Sequence, residues 1–322
     1  MMQIAEQLLE NALQVHAMDI LLLPFGTLYR VKFFIIDQYV EQGELSVEEA
    51  QKIITFFKFK ADMALSEHRR PQLGAWMYQQ KVYLRFSTVG DFLGRESLVI
   101  RLIYPLMENK INYLVKEQQS IFQTACQNKG LILFSGPMGS GKTSAMYQLV
   151  KSLAKKQVMC IEDPIEIQEP EFLQIQVNDK VGMDYTTLLK AALRHHPDIF
   201  IIGEIRDLAT AKAAITAALS GHLVLSTVHA PGVYAVVERL LNLGVNKLEL
   251  QQVLQLVSYQ RLLPLINGER GVLFDILSGE KLFEKVVTSY LQQMTNKWRE
   301  ELEKCLHARQ ITAQTFQHFL KG

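Results

Sequence analysis

From residue 131 onward, short apolar runs alternate with stretches of helical periodicity. Residues 131–134, 158–161, 199–202 and 223–227 read as strands, and 144–154, 185–194 and 209–219 as the helices between them. This alternation predicts an α/β fold whose largely parallel sheet is buried on both faces. Ligands of such sheets bind at the carboxyl ends of the strands, so chemistry is expected beyond residues 134, 161, 202 and 227.

The first hundred residues follow another pattern. A helix over 4–15, strands over 20–23 and 29–36, a helix over 47–63 and an antiparallel pair at 74–78 and 81–87 predict a smaller α+β module. A helix around 106–127 then leads into the second domain, with the boundary near residue 110. Beyond residue 227 the pattern reads as helical through 263, and 280–320 reads as helical again. The expected division is 1–110, 111–279 and a helical tail, 280–322.

The chain has 322 residues, 48% hydrophobic, with a net charge of +1. That is enough apolar material for two cores, and the near-neutral balance gives no basic field for direct nucleic-acid binding. The N-terminal segment lacks the basic and apolar regions of a secretory signal. The longest apolar stretches are interrupted by charge, as at Arg30 and Lys32, so a cytoplasmic protein is expected. Cys126, Cys160 and Cys305 are scattered and lack C-x-x-C spacing, which argues against disulfides and a cysteine zinc site.

Gly136, Pro137, Met138, Gly139, Ser140, Gly141, Lys142 and Thr143 spell G-x-x-x-x-G-K-[ST] between a strand and the helix that Ser144 continues. Glycines let the backbone curl with its N–H groups around a phosphate. Lys142 then reaches the β/γ oxygens, and the Thr143 hydroxyl can ligate Mg²⁺. The helix adds its positive N-terminal end. Such a loop implies ATP and Mg²⁺, and further carboxylates should lie on the same sheet edge. Strand 199–202 ends in Gly203 and Glu204, and strand 158–161 is followed by Glu162, Asp163 and Glu166. Glu204 is expected to organise Mg²⁺ and Glu166 to orient or deprotonate water. His229, just past strand 223–227, is placed to sense a γ-phosphate, whereas His222 at its start suits a neighbouring loop. His195 and His196 fit a helix C-terminus better than a metal.

The phosphate loop, the run C-I-E-D-P-I-E from Cys160 to Glu166, I-F-I-I-G-E-I-R-D from Ile199 to Asp207, and S-G-H-L-V-L-S-T-V-H from Ser220 to His229 resemble the type II/IV secretion and pilus ATPases (GspE/PilB/PilT-like). Gln176, Val177, Asn178 and the Gln260, Arg261, Leu262 segment extend the likeness. So do Asp19, Ile20 and the R-R-P-Q-L-G-A-W run from Arg69 to Trp76, which look like the family's second N-terminal domain. The resemblance implies a RecA-like motor domain and a homo-hexamer, with ATP between motor core and N-terminal module. It also implies arginines reaching the phosphates, and Arg85 and Arg101 match that pattern. A guanidinium suits the task because its planar fork binds phosphate oxygens bidentately.

Three departures narrow the branch. No tetracysteine element follows Leu262, so no zinc is expected. The chain starts at the second N-terminal domain, and the usual R-x-D-P-D is replaced by Arg194, His195, His196, Pro197, Asp198. These features resemble the competence-pilus motors of Gram-positive bacteria. The resemblance then implies pseudopilus assembly for DNA uptake, at the cytoplasmic face of the membrane. The partner would be a polytopic inner-membrane platform protein (ComGB-like), with no direct nucleic-acid contact. Alternatives are a retraction or type II secretion ATPase, a small-molecule P-loop kinase, and a nucleotide-gated scaffold that hydrolyses little.

Overall fold

The computed structural model describes residues 2–35, 38–106, 111–153, 155–279, 281–284 and 294–322. The chain divides into two compact units, 1–105 and 106–322. The boundary expected near residue 110 falls within 107–110, outside the described residues.

The first unit is an antiparallel sheet with two helices. In chain order it holds α1 (Met2–Gln14), β1 (Asp19–Phe25), β2 (Leu28–Ile35), β3 (Gln38–Ser46), α2 (Val47–Lys60), β4 (Gln72–Tyr78), β5 (Val82–Gly90) and β6 (Glu96–Ile103). The strands lie in the order β3-β2-β1-β6-β5-β4. α2 starts at a capping box: Ser46 Oγ accepts from the Glu49 N–H at 3.3 Å while Glu49 Oε2 accepts from the Ser46 N–H at 2.9 Å. Alternation along the strands sends Ile20, Leu22, Phe33, Leu84, Phe86, Leu98 and Ile100 into one core with Leu9 and Phe57 of the helices. The opposite direction of the same alternation carries Arg85 and Arg101.

The second unit contains α3 (Lys116–Ala125), β7 (Gly130–Ser135), α4 (Lys142–Lys151), β8 (Val158–Glu162), β9 (Leu173–Gln176), α5 (Tyr185–Ala192), β10 (Ile199–Glu204), α6 (Leu208–Leu219) and β11 (Leu223–Val228). It continues with α7 (Val233–Asn242), α8 (Lys247–Val253), β12 (Leu254–Pro264), β13 (Arg270–Ser278), α9 (Lys281–Glu284), α10 (Asn296–His307) and α11 (Ala313–Phe319). Its sheet runs β13-β12-β7-β11-β10-β8-β9, parallel throughout except for β13. Successive strand residues divide between two cores, one built with α3 and α4, the other with α5 to α8, α10 and α11. Thus the mixed α/β architecture anticipated from the alternation is present, with an antiparallel module before a mostly parallel one.

Two expected helices differ. Of the stretch 106–127, only Lys116–Ala125 is helical among the described residues, and Tyr113 instead bridges to Val272 of β13. The helical reading through residue 263 is also corrected, because Leu254–Pro264 is β12. Its segment L-Q-L-V-S-Y-Q-R-L-L-P is buried on both sides, and a run buried all round carries no period that separates strand from helix. The tail is helical at α9, α10 and α11, with 280 and 285–293 outside the described residues. Trp298, Leu302, Cys305 and Ile311 join the second unit's core, and Trp298 Nε1 donates to the Phe319 carbonyl at 2.8 Å. No described helix is long and apolar enough to cross a membrane.

The first unit's core also encloses a charge. Lys58, 1% exposed, donates through Nζ to Glu96 Oε1 at 2.8 Å and to the Glu67 carbonyl at 2.6 Å, and His68 Nδ1 lies 3.1 Å from Glu96 Oε2. Removing one member of a buried pair strands the other, whereas replacing both with apolar groups does not. Lys58→Met or Glu96→Leu alone is expected to lower stability by about 3–5 kcal/mol, with most of it regained in the double variant. Urea unfolding in a Trp298→Phe background, where Trp76 reports on the first unit, measures this. Single variants within about 1 kcal/mol of their parent would refute it.

Candidate functional site

The phosphate-binding loop leaves the end of β7 and turns into α4. Gly136 has φ +143, and a Cβ there would lie 2.6 Å from the Gln260 main-chain oxygen and 2.8 Å from Ser140 Oγ. No side chain fits. Gly141, at φ 79 and ψ 25, is the N-cap of α4, a left-handed conformation that favours glycine. Lys142 is buried and donates through Nζ to the carbonyls of Gly136 at 3.0 Å and Pro137 at 2.9 Å. Burial depresses its pKa, while the carboxylates of Glu204 and Glu166 push the other way. Thr143 Oγ1 donates to Glu166 Oε2 at 2.6 Å. Ser140 Oγ is buried with no hydrogen-bond partner, and Met138 is exposed.

Parallel pairing brings the acids to the same edge. β8 ends at Glu162, and β10 ends at Glu204, where its register to β11 shifts between Ile202 and Glu204. Glu204 Oε2 accepts from Arg206 Nε at 2.8 Å, and His229 Nε2, just past β11, lies 3.3 Å from Glu204 Oε1. The sequence groups Glu162, Asp163 and Glu166 as one acidic box, but the structure separates them. Asp163 and Glu166 are exposed, whereas Glu162 is 2% exposed and accepts from the Tyr147 hydroxyl of α4. Gln174 Nε2 of β9 donates in turn to Tyr147 Oη at 2.8 Å and to the Ile167 carbonyl at 2.7 Å. Burial raises the Glu162 pKa from 4.5 to about 7, helped by Glu166 and opposed by the Tyr147 and Gln174 bonds.

Other residues named from the sequence lie elsewhere. His222 sits at the amino end of β11, the edge opposite the loop, with Nδ1 3.2 Å from the Ala217 carbonyl and its ring against Phe200 at 5.1 Å. The His195–His196 stretch precedes β10 at that same edge. Arg85 and Arg101 are directly opposed on β5 and β6 of the first unit, and Arg101 Nε donates to Asp19 Oδ1 at 2.9 Å.

Sequence reasoning missed Tyr147, Gln174 and the part played by Gln260. Tyr147 and Gln174 occupy helix and strand positions with no motif. Gln260 was legible only within the Gln-Arg-Leu segment, without a role. In the structure its Nε2 donates to the Ser140 carbonyl at 2.6 Å.

The donors at this edge are oxygens, the kind Mg²⁺ takes: the Thr143 hydroxyl, already aimed at a carboxylate, and the Glu204 carboxylate. Together with the glycines of positive φ and a lysine that hydrogen-bonds loop carbonyls, the residues fit a phosphate–Mg²⁺ group.

A family model described as type II/IV secretion system protein matches residues 1–317, and the chain belongs to that family. Competence protein ComGA of Streptococcus pneumoniae is 41% identical over 315 residues, covering 97% of this chain and 96% of that protein. ComGA of Bacillus subtilis is 35% identical over 306 residues, covering 87% of this chain and 86% of that one. The type IV pilus assembly ATPase PilB of Pseudomonas aeruginosa is 32% identical over 266 residues, 80% of this chain and 47% of PilB. Among solved structures, the pilus retraction motor PilT with bound ADP matches with a TM-score of 0.73 at 23% identity, over 97% of this chain and 96% of that one. At that identity the likeness establishes the fold.

Glu162 sets a pH dependence. Its folded-state pKa lies above the unfolded one, so the folded protein holds a proton that the unfolded chain has lost between the two values. Its contribution to stability is therefore complete below about pH 4.5 and lost as pH rises to about 7. Relative to Glu162→Gln, the wild type should lose about 3 kcal/mol across that interval. Urea midpoints of both proteins at several pH values test this. Parallel pH profiles would remove Glu162 as the cause.

Proposed function

We propose that this protein is an ATPase that powers assembly of a type IV-like competence pseudopilus for DNA uptake. The reading is carried by one observation: a phosphate loop, its Lys142 and Thr143, and the carboxylates Glu166 and Glu204 share one edge of a parallel sheet. The names of the ComGA and PilB relatives support the pilus assignment.

ATP is the substrate. Lys142 leaves the Gly136 and Pro137 carbonyls for the β/γ oxygens, exchanging neutral acceptors for charged ones. The backbone N–H groups around Gly139 to Ser144 hold the remaining phosphate oxygens at the start of α4. Thr143 and Glu204 would hold Mg²⁺, which when bound would neutralise phosphate charge. Glu166 then orients the attacking water and takes its proton, and His229 ties Glu204 to the γ-phosphate position. Arg85 and Arg101 supply the guanidinium groups that offset charge developing on the transferred phosphoryl group. The ring is a homo-hexamer. It works at the cytoplasmic face of the membrane, and its domain movements pass to a polytopic platform protein.

Specific activity should rise with protein concentration, because sites completed between subunits need the ring. Activity that stays constant while the protein goes from monomer to ring would sink the composite site. Arg85→Ala and Arg101→Ala should each lower turnover by about a thousandfold with nucleotide binding retained. Glu166→Gln should cost about a hundredfold or more, and wild-type turnover would remove it from the water's path. In the cell, deletion of the gene should abolish surface pili and transformation together; pili retained without transformation would contradict the assembly role.

A further inference from the structure

Gln260 of β12 is 1% exposed and sits behind the phosphate loop. Its main-chain oxygen is what leaves no room for a Cβ at Gly136, at 2.6 Å, and its side-chain Nε2 lies 3.7 Å from where a Cβ on Gly141 would be. That nitrogen donates to the Ser140 carbonyl at 2.6 Å. The other half of the amide, Oε1, is buried with no partner, as is Ser140 Oγ. A half-satisfied amide in so dry a place is unfavourable for stability, and an apolar side chain of the same length would pack there without an orphaned oxygen. What the glutamine alone provides is a donor to the loop.

We propose that Gln260 is a positioning residue for the phosphate-binding loop, holding the Ser140 carbonyl toward β12 so that the Gly141 N–H faces the other way, toward bound phosphate. Across a trans peptide the C=O and the next N–H point in opposite directions, so fixing the Ser140 oxygen fixes the Gly141 N–H. Ser140 and Gly141 lie between the flexible glycines and the first turn of α4, where a free peptide could flip and present its oxygen to the phosphate instead. A flipped peptide would turn an attraction into a repulsion of like partial charges. The backing strand is itself well fixed. Tyr259 pairs with Ser135 across β12 and β7, Ser135 Oγ donates to the Ser258 carbonyl at 3.0 Å, and Arg261 Nη2 donates to the Gly322 main-chain oxygen at 2.8 Å.

The inference rests on the nucleotide-binding reading above, but one arm of its test does not need nucleotide. Two variants of the full chain keep the length of the side chain: Gln260→Met removes the donor, and Gln260→Glu sets an acceptor against the Ser140 oxygen. In nucleotide-free protein, amide hydrogen exchange over 136–142 should quicken by about tenfold in Gln260→Met, with little change elsewhere in the second unit. Binding of fluorescent N-methylanthraniloyl-ADP should weaken about tenfold in Gln260→Met and further in Gln260→Glu. KM for ATP should rise in step while kcat stays within about twofold, a split that loss of folding would not produce. Unchanged exchange over 136–142 together with wild-type ADP affinity in Gln260→Met would overturn the proposal, whether or not Gln260→Glu folds. Wild-type protein that binds no ADP would count against the nucleotide reading, and the exchange result would still decide for or against Gln260.

Discussion

The parallel pairing of β9, β8, β10, β11, β7 and β12 is the constraint from which the rest of the site follows. Parallel strands end together, so whatever the chain places after each of them meets at one edge without any further design. The phosphate loop follows β7, the acids follow β8, Glu204 ends β10, His229 follows β11, and Gln260 lies in β12 at the height where β7 gives way to the loop. Segments scattered over more than a hundred residues are brought together by the pairing of these strands. The opposite edge shows what the same rule excludes, since His222, in the same motif as His229, and His196, just before β10, lie at the amino ends of the strands.

Once residues share an edge, burial decides what each can do. Glu162 and Glu166 are four residues apart and identical in type. Glu166 remains exposed and free to meet the Thr143 hydroxyl, whereas Glu162 turns beneath α4, where desolvation favours its neutral form and Tyr147 and Gln174 satisfy it. The buried acid thereby ties the helix after the phosphate loop to β8 and β9, and the exposed one accepts from the first turn of that helix instead. Lys142 lies between these extremes. It is buried enough for its charge to be costly, and its position holds only because two loop carbonyls and nearby carboxylates compensate.

Much of this was legible before any coordinates. The strand–helix alternation from residue 131 and the glycine-rich loop gave the sheet and the edge at which its chemistry lies, because a buried parallel strand is a short apolar run bounded by turns. β12 escaped the same reading. Its run is as apolar as the helices before it and contains the polar Ser258, Gln260 and Arg261, whose roles are set by contacts to β7, the loop and the tail rather than by any period. The exposed edge strand β3 was missed for the converse reason, since Gln38–Ser46 buries almost nothing. Within the acidic box, spacing placed three carboxylates near one another, but only tertiary packing against Tyr147 could tell the buried one from the others.

The two arginines place like charges against local stability. Arg85 and Arg101 face each other across an antiparallel pair, an arrangement in which like charges repel at close range. Asp19, in register with Arg101 on β1, offsets that repulsion through a short ion pair. A sheet selected for stability alone would place a threonine or an aromatic at one of these positions, since such cross-strand pairs contribute favourably. The register of β5 and β6 nevertheless holds the backbones of the two arginines opposite each other, with Arg101 tied to Asp19. Folding has thereby met the cost of bringing the two backbones together, and only the side-chain torsions remain to be set.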